Sequence, residues 1–86
     1  MITQPSVWRE ELARMQLQDL STMSIDQLAV FNVAAQTHLD VMERGPWAPQ
    51  YVREATEIAN AFRFLGDAAL VMLAYKQGLF QSSPAS

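Results

Sequence analysis

One stretch of the chain, residues 49–77, constrains the fold most strongly because its apolar positions follow a helical repeat. They recur alternately four and three residues apart, which is the spacing of a helix that packs along its length against other helices. A second apolar line runs beside the first and widens the buried face. The first line is Tyr51, Ala55, Ile58, Phe62, Leu65, Ala69 and Met72, and the second is Val52, Ala59, Gly66 and Leu73.

The opposite face of this predicted helix changes character halfway along. Its first half is polar, but residues 68–75 are apolar on every side of the helix. A helix that is apolar all round is normally enclosed by protein, and 86 residues provide little to enclose it with. The mismatch predicts a partner protein. The polar side chains of the first half are Arg53, Glu54, Glu57, Asn60, Arg63 and Asp67.

Composition indicates one small globular domain. Half of the residues are hydrophobic and 17% are charged, which is not typical of a disordered segment. We expect a single helical domain over residues 1–80, followed by a disordered polar tail at 81–86. Because a domain of this size buries only about 60–65% of its unfolded surface, a partner would add to a marginal stability.

The charge and the cysteine content argue against several other classes of protein. The chain has no cysteine, so neither a disulfide framework nor a thiolate metal site is available. Its net charge is −3 and its six basic residues are dispersed, whereas nucleic acids and anionic membranes attract clustered Lys and Arg. The N-terminus lacks the pattern of a secretory signal, and the apolar run 68–75 is far shorter than the roughly 20 residues that span a bilayer. We therefore expect a cytoplasmic protein without nucleic-acid or membrane partners.

The remaining pattern predicts an all-α fold, an antiparallel helical hairpin with an additional short N-terminal helix. The three helices are expected at about 5–20, 25–44 and 49–77. Ser24 and Gln27 have the spacing of a capping box, which predicts a helix start at Ile25. Gly45 and Pro46 predict its end, and the short link that follows forces the two long helices to be antiparallel. The apolar face of the second helix is predicted to comprise Leu28, Phe31, Ala35, Leu39 and Met42.

Three features of the hairpin each allow two interpretations. The N-terminal helix, with Trp8, Leu12 and Met15 on one face, is either a lid over the other helices or a mobile arm that orders on a partner. Trp47 in the link is either a packing plug or an exposed recognition residue. Gly66, which costs about 1 kcal/mol relative to alanine in an exposed helix, permits close approach either of the second helix or of a partner helix.

The sequence offers no pattern for catalysis. His38 has no second metal ligand or carboxylate at helical spacing, so we interpret it as a surface or edge histidine. Glu54 and Glu57 share one face, but acids near a helix N-terminus favour the dipole and can pair with a neighbouring arginine. We therefore predict a protein without enzyme activity, catalytic residues, metal or cofactor.

A partner-binding patch is predicted instead on the last helix. Its residues lie mostly off the helix's apolar stripe, and exposing them would leave a larger apolar area than monomers usually tolerate. The alternative is that the N-terminal helix covers them. The predicted partner-binding residues are Phe64, Ala68, Val71, Tyr75, Leu79 and Phe80, together with Trp47 in the link.

Residues 35–77 also resemble a known family. The resemblance rests on Arg44-Gly45, on the Ala48-to-Tyr51 turn, and on Ile58-Ala59 leading into an alanine-rich apolar helix that ends near Tyr75. This arrangement resembles the small E-type co-chaperones of type III secretion needles, the YscE, AscE and SsaE group. The resemblance implies a cytoplasmic hairpin that binds a helical-repeat chaperone and, with it, keeps a needle subunit from polymerising.

Other interaction proteins fit the same residues. One alternative is a small, phage-encoded helical inhibitor that binds and silences a host regulatory protein. Another is a homodimer in which the apolar end of the last helix pairs with its own copy. A DNA-binding helix-turn-helix is the weakest alternative, because Arg53 and Arg63 after the turn are too few cations to hold a phosphate backbone.

Overall fold

The structure is a computed structural model that describes residues 4–78. Within these residues it is all-α without a strand, which confirms the predicted fold class. Helix α1 is Arg9–Gln16, α2 is Ile25–Arg44 and α3 is Val52–Lys76, with short 3₁₀ turns at Pro5–Trp8, Leu20–Thr22 and Pro49–Tyr51. The predicted tail at 81–86 lies outside the described residues.

Both ends of α2 are formed by the residues that the sequence indicated. The Gln27 backbone N–H donates to Ser24 Oγ at 3.1 Å, and the Ser24 backbone N–H donates to Gln27 Oε1 at 2.8 Å. These reciprocal bonds confirm the capping box. At the other end Gly45 adopts a φ of 61° and its N–H donates to the Val41 carbonyl at 3.2 Å. A positive φ is what glycine permits there.

The core lies mainly between α2 and α3, which pack side by side. Most residues of the predicted stripes are buried at this interface. Four of them, Leu39, Tyr51, Met72 and Leu73, are only half-buried, and Val52 at the start of α3 is exposed. Burying these apolar side chains provides the main stabilising free energy of the hairpin. The buried residues of α2 and α3 are Leu28, Phe31, Ala35, Met42, Ala55, Ile58, Ala59, Phe62, Leu65, Gly66 and Ala69.

Gly66 marks a close approach between the two long helices. The Asn32 side-chain amide donates to the Gly66 carbonyl at 3.0 Å. A Cβ at position 66 would lie 3.5 Å from the Ala35 Cβ. Of the two interpretations of Gly66, the structure therefore shows the approach of α2, centred on Asn32 and Ala35.

The N-terminal helix is shorter than predicted, and the expected end at Leu20 is wrong. Helix α1 ends at Gln16, and Asp19 has the extended backbone angles φ −95° and ψ 104°. The Asp19 carboxylate accepts the Ser21 N–H at 3.0 Å and the Ser21 hydroxyl at 2.7 Å. This local capping stabilises a separate 3₁₀ turn at Leu20–Thr22 in place of a continued helix.

Helix α1 is docked on the hairpin as a lid. Leu12 and Met15 are buried in the common core, and Trp8 is half-buried against it. Arg9 Nε lies 2.7 Å from Glu54 Oε2, and Arg9 Nη2 lies 3.8 Å from Glu57 Oε1. Glu54 and Glu57 thus pair with an arginine, as we expected from the sequence, but the arginine comes from α1.

Candidate protein-binding surface

The outer face of the second half of α3 carries an exposed apolar strip. Phe64, Val71 and Tyr75 are 73%, 57% and 59% exposed, and Ala68 between them is half-buried. These four residues, at successive spacings of four, three and four, share one face of the helix. We call them the outer strip. The remaining predicted patch residues, Leu79 and Phe80, lie outside the described residues.

Helix α1 does not cover Phe64, Val71 or Tyr75 of the outer strip. Its apolar residues point into the hairpin core, and its ion pairs attach it near the start of α3. The alternative in which α1 masks the predicted patch is therefore wrong for these three exposed side chains. Packing within residues 4–78 leaves their apolar surface in contact with solvent.

The outer strip is narrow and convex. From Phe64 to Tyr75 it extends about 16 Å, at 1.5 Å per residue, and it is one helix wide. Towards the start of α3 the same face becomes polar, with exposed Arg53, Glu57 and Asn60. A stable protein interface buries about 800 Å² on each partner. A convex strip of this size reaches such an area only against a concave surface that also encloses its flanks.

Trp47 in the link is a packing residue in this structure. Its indole N–H donates to the Met42 carbonyl at 2.8 Å, and its half-buried ring packs against the core. Because the polar atom of the ring is already bonded within the chain, the geometry favours the packing interpretation over exposed recognition.

His38 was expected to be a surface or edge histidine, and it lies at the edge of the core. Its ring is half-buried between Trp8, at 5.2 Å between ring centroids, and Phe62, at 5.1 Å. His38 Nε2 lies 3.5 Å from Glu11 Oε2, so α1 supplies the nearby carboxylate that the spacing within α2 lacks. Sequence spacing could not reveal this contact, because the two residues are on different helices.

Two further features of residues 4–78 bear on metal binding and on membrane insertion. Among residues 4–78, no group of three or more His, Asp or Glu side chains is arranged to hold a metal ion. One helical segment, Pro49–Lys76, is long and apolar enough to cross a membrane by length and composition alone, and 33% of its most apolar window is buried. The same segment is the core helix of the hairpin.

Comparison with known proteins adds no assignment. The chain matches no protein-family model, no curated protein and no solved structure.

Proposed function

We propose that this chain is a non-enzymatic protein-binding module. In its specific form, it is a small cytoplasmic co-chaperone that stabilises a helical-repeat chaperone and helps keep a secretion needle subunit from polymerising. One observation carries the proposal: the outer strip is apolar and exposed on a helix whose inner face is packed in the core.

The shape of the outer strip supports a concave partner. A single amphipathic helix that lays apolar side chains into a groove is a recurring mode of protein recognition, with anchors at i, i+4 and i+7. Phe64, Ala68 and Val71 have this spacing, and Tyr75 continues it. Helical-repeat proteins present extended concave surfaces of the kind that could enclose such a helix. The family resemblance of residues 35–77 implies the same class of partner.

A capture experiment in the native host tests this proposal. The tagged chain would be purified from soluble extract together with its bound proteins, which would be identified by mass. We expect a helical-repeat protein and a short needle-like subunit. The variant Val71→Asp places a charge in the apolar contact and should reduce their recovery by about tenfold or more, as expected for a buried, unpaired charge.

Val52→Asp is the matched control. Val52 lies on the same helix and is 50% exposed, compared with 57% for Val71, but it lies away from the outer strip. Both substitutions add one negative charge, so only the site differs. Recovery of a regulatory protein would support the inhibitor instead, and recovery of the chain alone as a defined oligomer would contradict the proposed partner. Equal losses with both variants would exclude the outer strip as the interface.

A further inference from the structure

A second surface, on the α2 side of the molecule, has different chemistry. The backbone of α1 approaches α3 more closely than α2, and this leaves an open groove between α1, the Leu20–Thr22 turn and the first half of α2. The groove has a volume of about 640 Å³, which is enough for several apolar side chains. It shares no residue with the outer strip.

The floor of this groove is apolar and adaptable. Met15, Met23 and Phe31 are buried at its base, while Val30 is 69% exposed and Ala34 is half-buried along the α2 wall. Methionine side chains are flexible and polarisable, and they adjust to partner side chains of different shape. The floor could therefore accept large aliphatic or aromatic anchors.

The rim of the groove is acidic. Glu11, Asp19 and Asp26 surround the apolar floor. Glu11 already lies 2.9 Å from Arg14 Nη1, but neither Asp19 nor Asp26 forms an ion pair within residues 4–78. Hydrogen bonds from the Ser21 hydroxyl and backbone N–H lower the pKa of Asp19 from its ordinary value of 3.8. The carboxylate is charged at neutral pH, as an ordinary aspartate is.

The ion-pair pattern of the described residues shows that this negative charge is available to a partner. Nine acidic side chains lie in residues 4–78, and five of them form ion pairs there. Two of the other four, Asp19 and Asp26, lie on this single rim. The groove is thus an apolar depression flanked by two carboxylates, Asp19 and Asp26, that form no ion pair within residues 4–78.

We infer that the acidic groove binds a cationic amphipathic segment of another protein, with apolar anchors on the floor and Lys or Arg beside Asp19 and Asp26. Nucleic acids and anionic lipids are disfavoured, because the rim carboxylates repel phosphate groups. The inference does not depend on the proposed co-chaperone function, which concerns the outer strip.

Other parts of the same chain do not match the acidic rim. Residues 1–3 and 79–86 contain no Lys or Arg. A second copy also has few cations to offer. All six basic residues lie in the described part, where four form ion pairs and Lys76 Nζ donates to the Ser21 carbonyl at 3.1 Å.

A peptide-binding measurement tests the inference. The probe is a fluorescein-labelled helical peptide with leucines on one face and lysines on the other, and its control has glutamates in place of the lysines. Fluorescence anisotropy with the full chain should show saturable binding of the lysine peptide only. The affinity should fall as salt is added, because exposed charges are screened.

Two valines of α2 provide matched variants. Val30 lines the groove and is 69% exposed, whereas Val33 is 62% exposed and does not line it. Val30→Lys and Val33→Lys change the net charge equally, and both sites are exposed enough for the fold to be retained, which circular dichroism would check. We expect Val30→Lys to weaken peptide binding by about tenfold or more, through loss of an apolar contact and a new like charge. Val33→Lys should weaken it by less than about threefold, because its side chain does not line the groove and an exposed charge is screened by solvent.

Several results would overturn the inference. These are absence of lysine-peptide binding, equal binding of the glutamate peptide, or equal weakening by the two valine variants. A concentration-dependent dimer of the unmodified chain that Val30→Lys abolishes would show that a second copy occupies the groove instead. Val71→Asp distinguishes the test of the acidic groove from the test of the outer strip. It should leave peptide binding unchanged even if capture of the proposed chaperone fails.

Discussion

The two halves of α3 have similar inner faces and different outer faces. In both halves the inner side chains pack on α2, from Ala55 and Ile58 in the first half to Ala69 in the second. The outer face of the first half is polar and lies near the attachment of α1 through Arg9. The outer face of the second half bears exposed Phe64 and Val71. The comparison indicates that the inner positions hold the fold, while the outer positions are free to serve binding.

The strongest way to test this division is a pair of phenylalanines two residues apart. Phe62 is 0% exposed and Phe64 is 73% exposed. We expect Phe62→Ala to lower the free energy of unfolding by about 3–5 kcal/mol through the lost apolar contacts and the cavity. That is a large part of the roughly 5–15 kcal/mol that stabilises a typical domain. Urea denaturation followed by circular dichroism would measure the change.

Phe64→Ala is the corresponding control on the outer face. It should change the free energy of unfolding by no more than about 0.5 kcal/mol, as for most exposed substitutions, while reducing capture of the proposed partner. If both variants destabilised the chain equally, the outer strip would have to be part of the fold, and the division between faces would fail.

Gly66, near the midpoint of α3, should show a smaller effect whose sign depends on the size of the new side chain. A methyl group there would lie 3.4 Å from Gln36 Nε2 and 3.5 Å from the Ala35 Cβ. The Gln36 side chain is exposed and can move slightly. We therefore expect Gly66→Ala to raise the free energy of unfolding by about 0.5–1 kcal/mol, because alanine favours the helix.

Gly66→Leu should do the opposite. It would overfill the interface between α2 and α3 and lower the free energy of unfolding by about 1–3 kcal/mol. The same denaturation measurement applies to both variants. Equal tolerance of alanine and leucine would mean that α2 and α3 are not held closely at this point.

The smallest expected effect concerns the turn that contacts the end of α3. Lys76 Nζ donates to the Ser21 carbonyl at 3.1 Å, and Ser21 in turn donates to Asp19, whose pKa is lowered from 3.8 by these bonds. Because the pKa of Asp19 is lower in the folded state than in the unfolded state, its hydrogen bonds to Ser21 stabilise the fold fully above the ordinary pKa of 3.8. This stabilisation is lost as the pH falls through the lowered value.

NMR would detect this change at the Ser21 amide. We expect its chemical shift to titrate in acid, below the ordinary carboxyl pKa of 3.8. In Asp19→Asn this titration should disappear, because an amide can accept the same hydrogen bonds but does not ionise. If the Ser21 amide shift still titrated in the variant, a group other than Asp19 would be responsible for the change.

The sequence predicted those parts of the fold that depend on nearby residues. Ser24 and Gln27 identified the start of α2 because both capping bonds are local, and the spacing around Phe62 identified the inner face of α3. Asp19 was missed as a helix stop, since its bonds to Ser21 compete with a pattern that also suits a helix.

The candidate sites were predicted only in part, because only some of their features depend on residues that are near one another in the sequence. Periodicity placed Phe64 and Val71 off the buried stripe, and their exposure follows from that position. The acidic groove could not be predicted, because it depends on the separation of α1 from α2 and on the placement of Asp19 and Asp26 along the same groove. The contact between His38 and Glu11 likewise depends on tertiary packing.

The hydrogen bond from Asn32 to the Gly66 carbonyl adds to core packing in fixing the register in which the two long helices meet. Sliding α3 by one turn would move Gly66 by about 5.4 Å. The half-buried Asn32 amide would then lose its bond to the Gly66 carbonyl, and a side chain in place of Gly66 would hinder the close approach. An unmade hydrogen bond is costly for a polar group removed from water. Asn32 therefore helps to fix how far α3 extends along α2. In doing so it also fixes where the outer strip begins relative to the acidic groove.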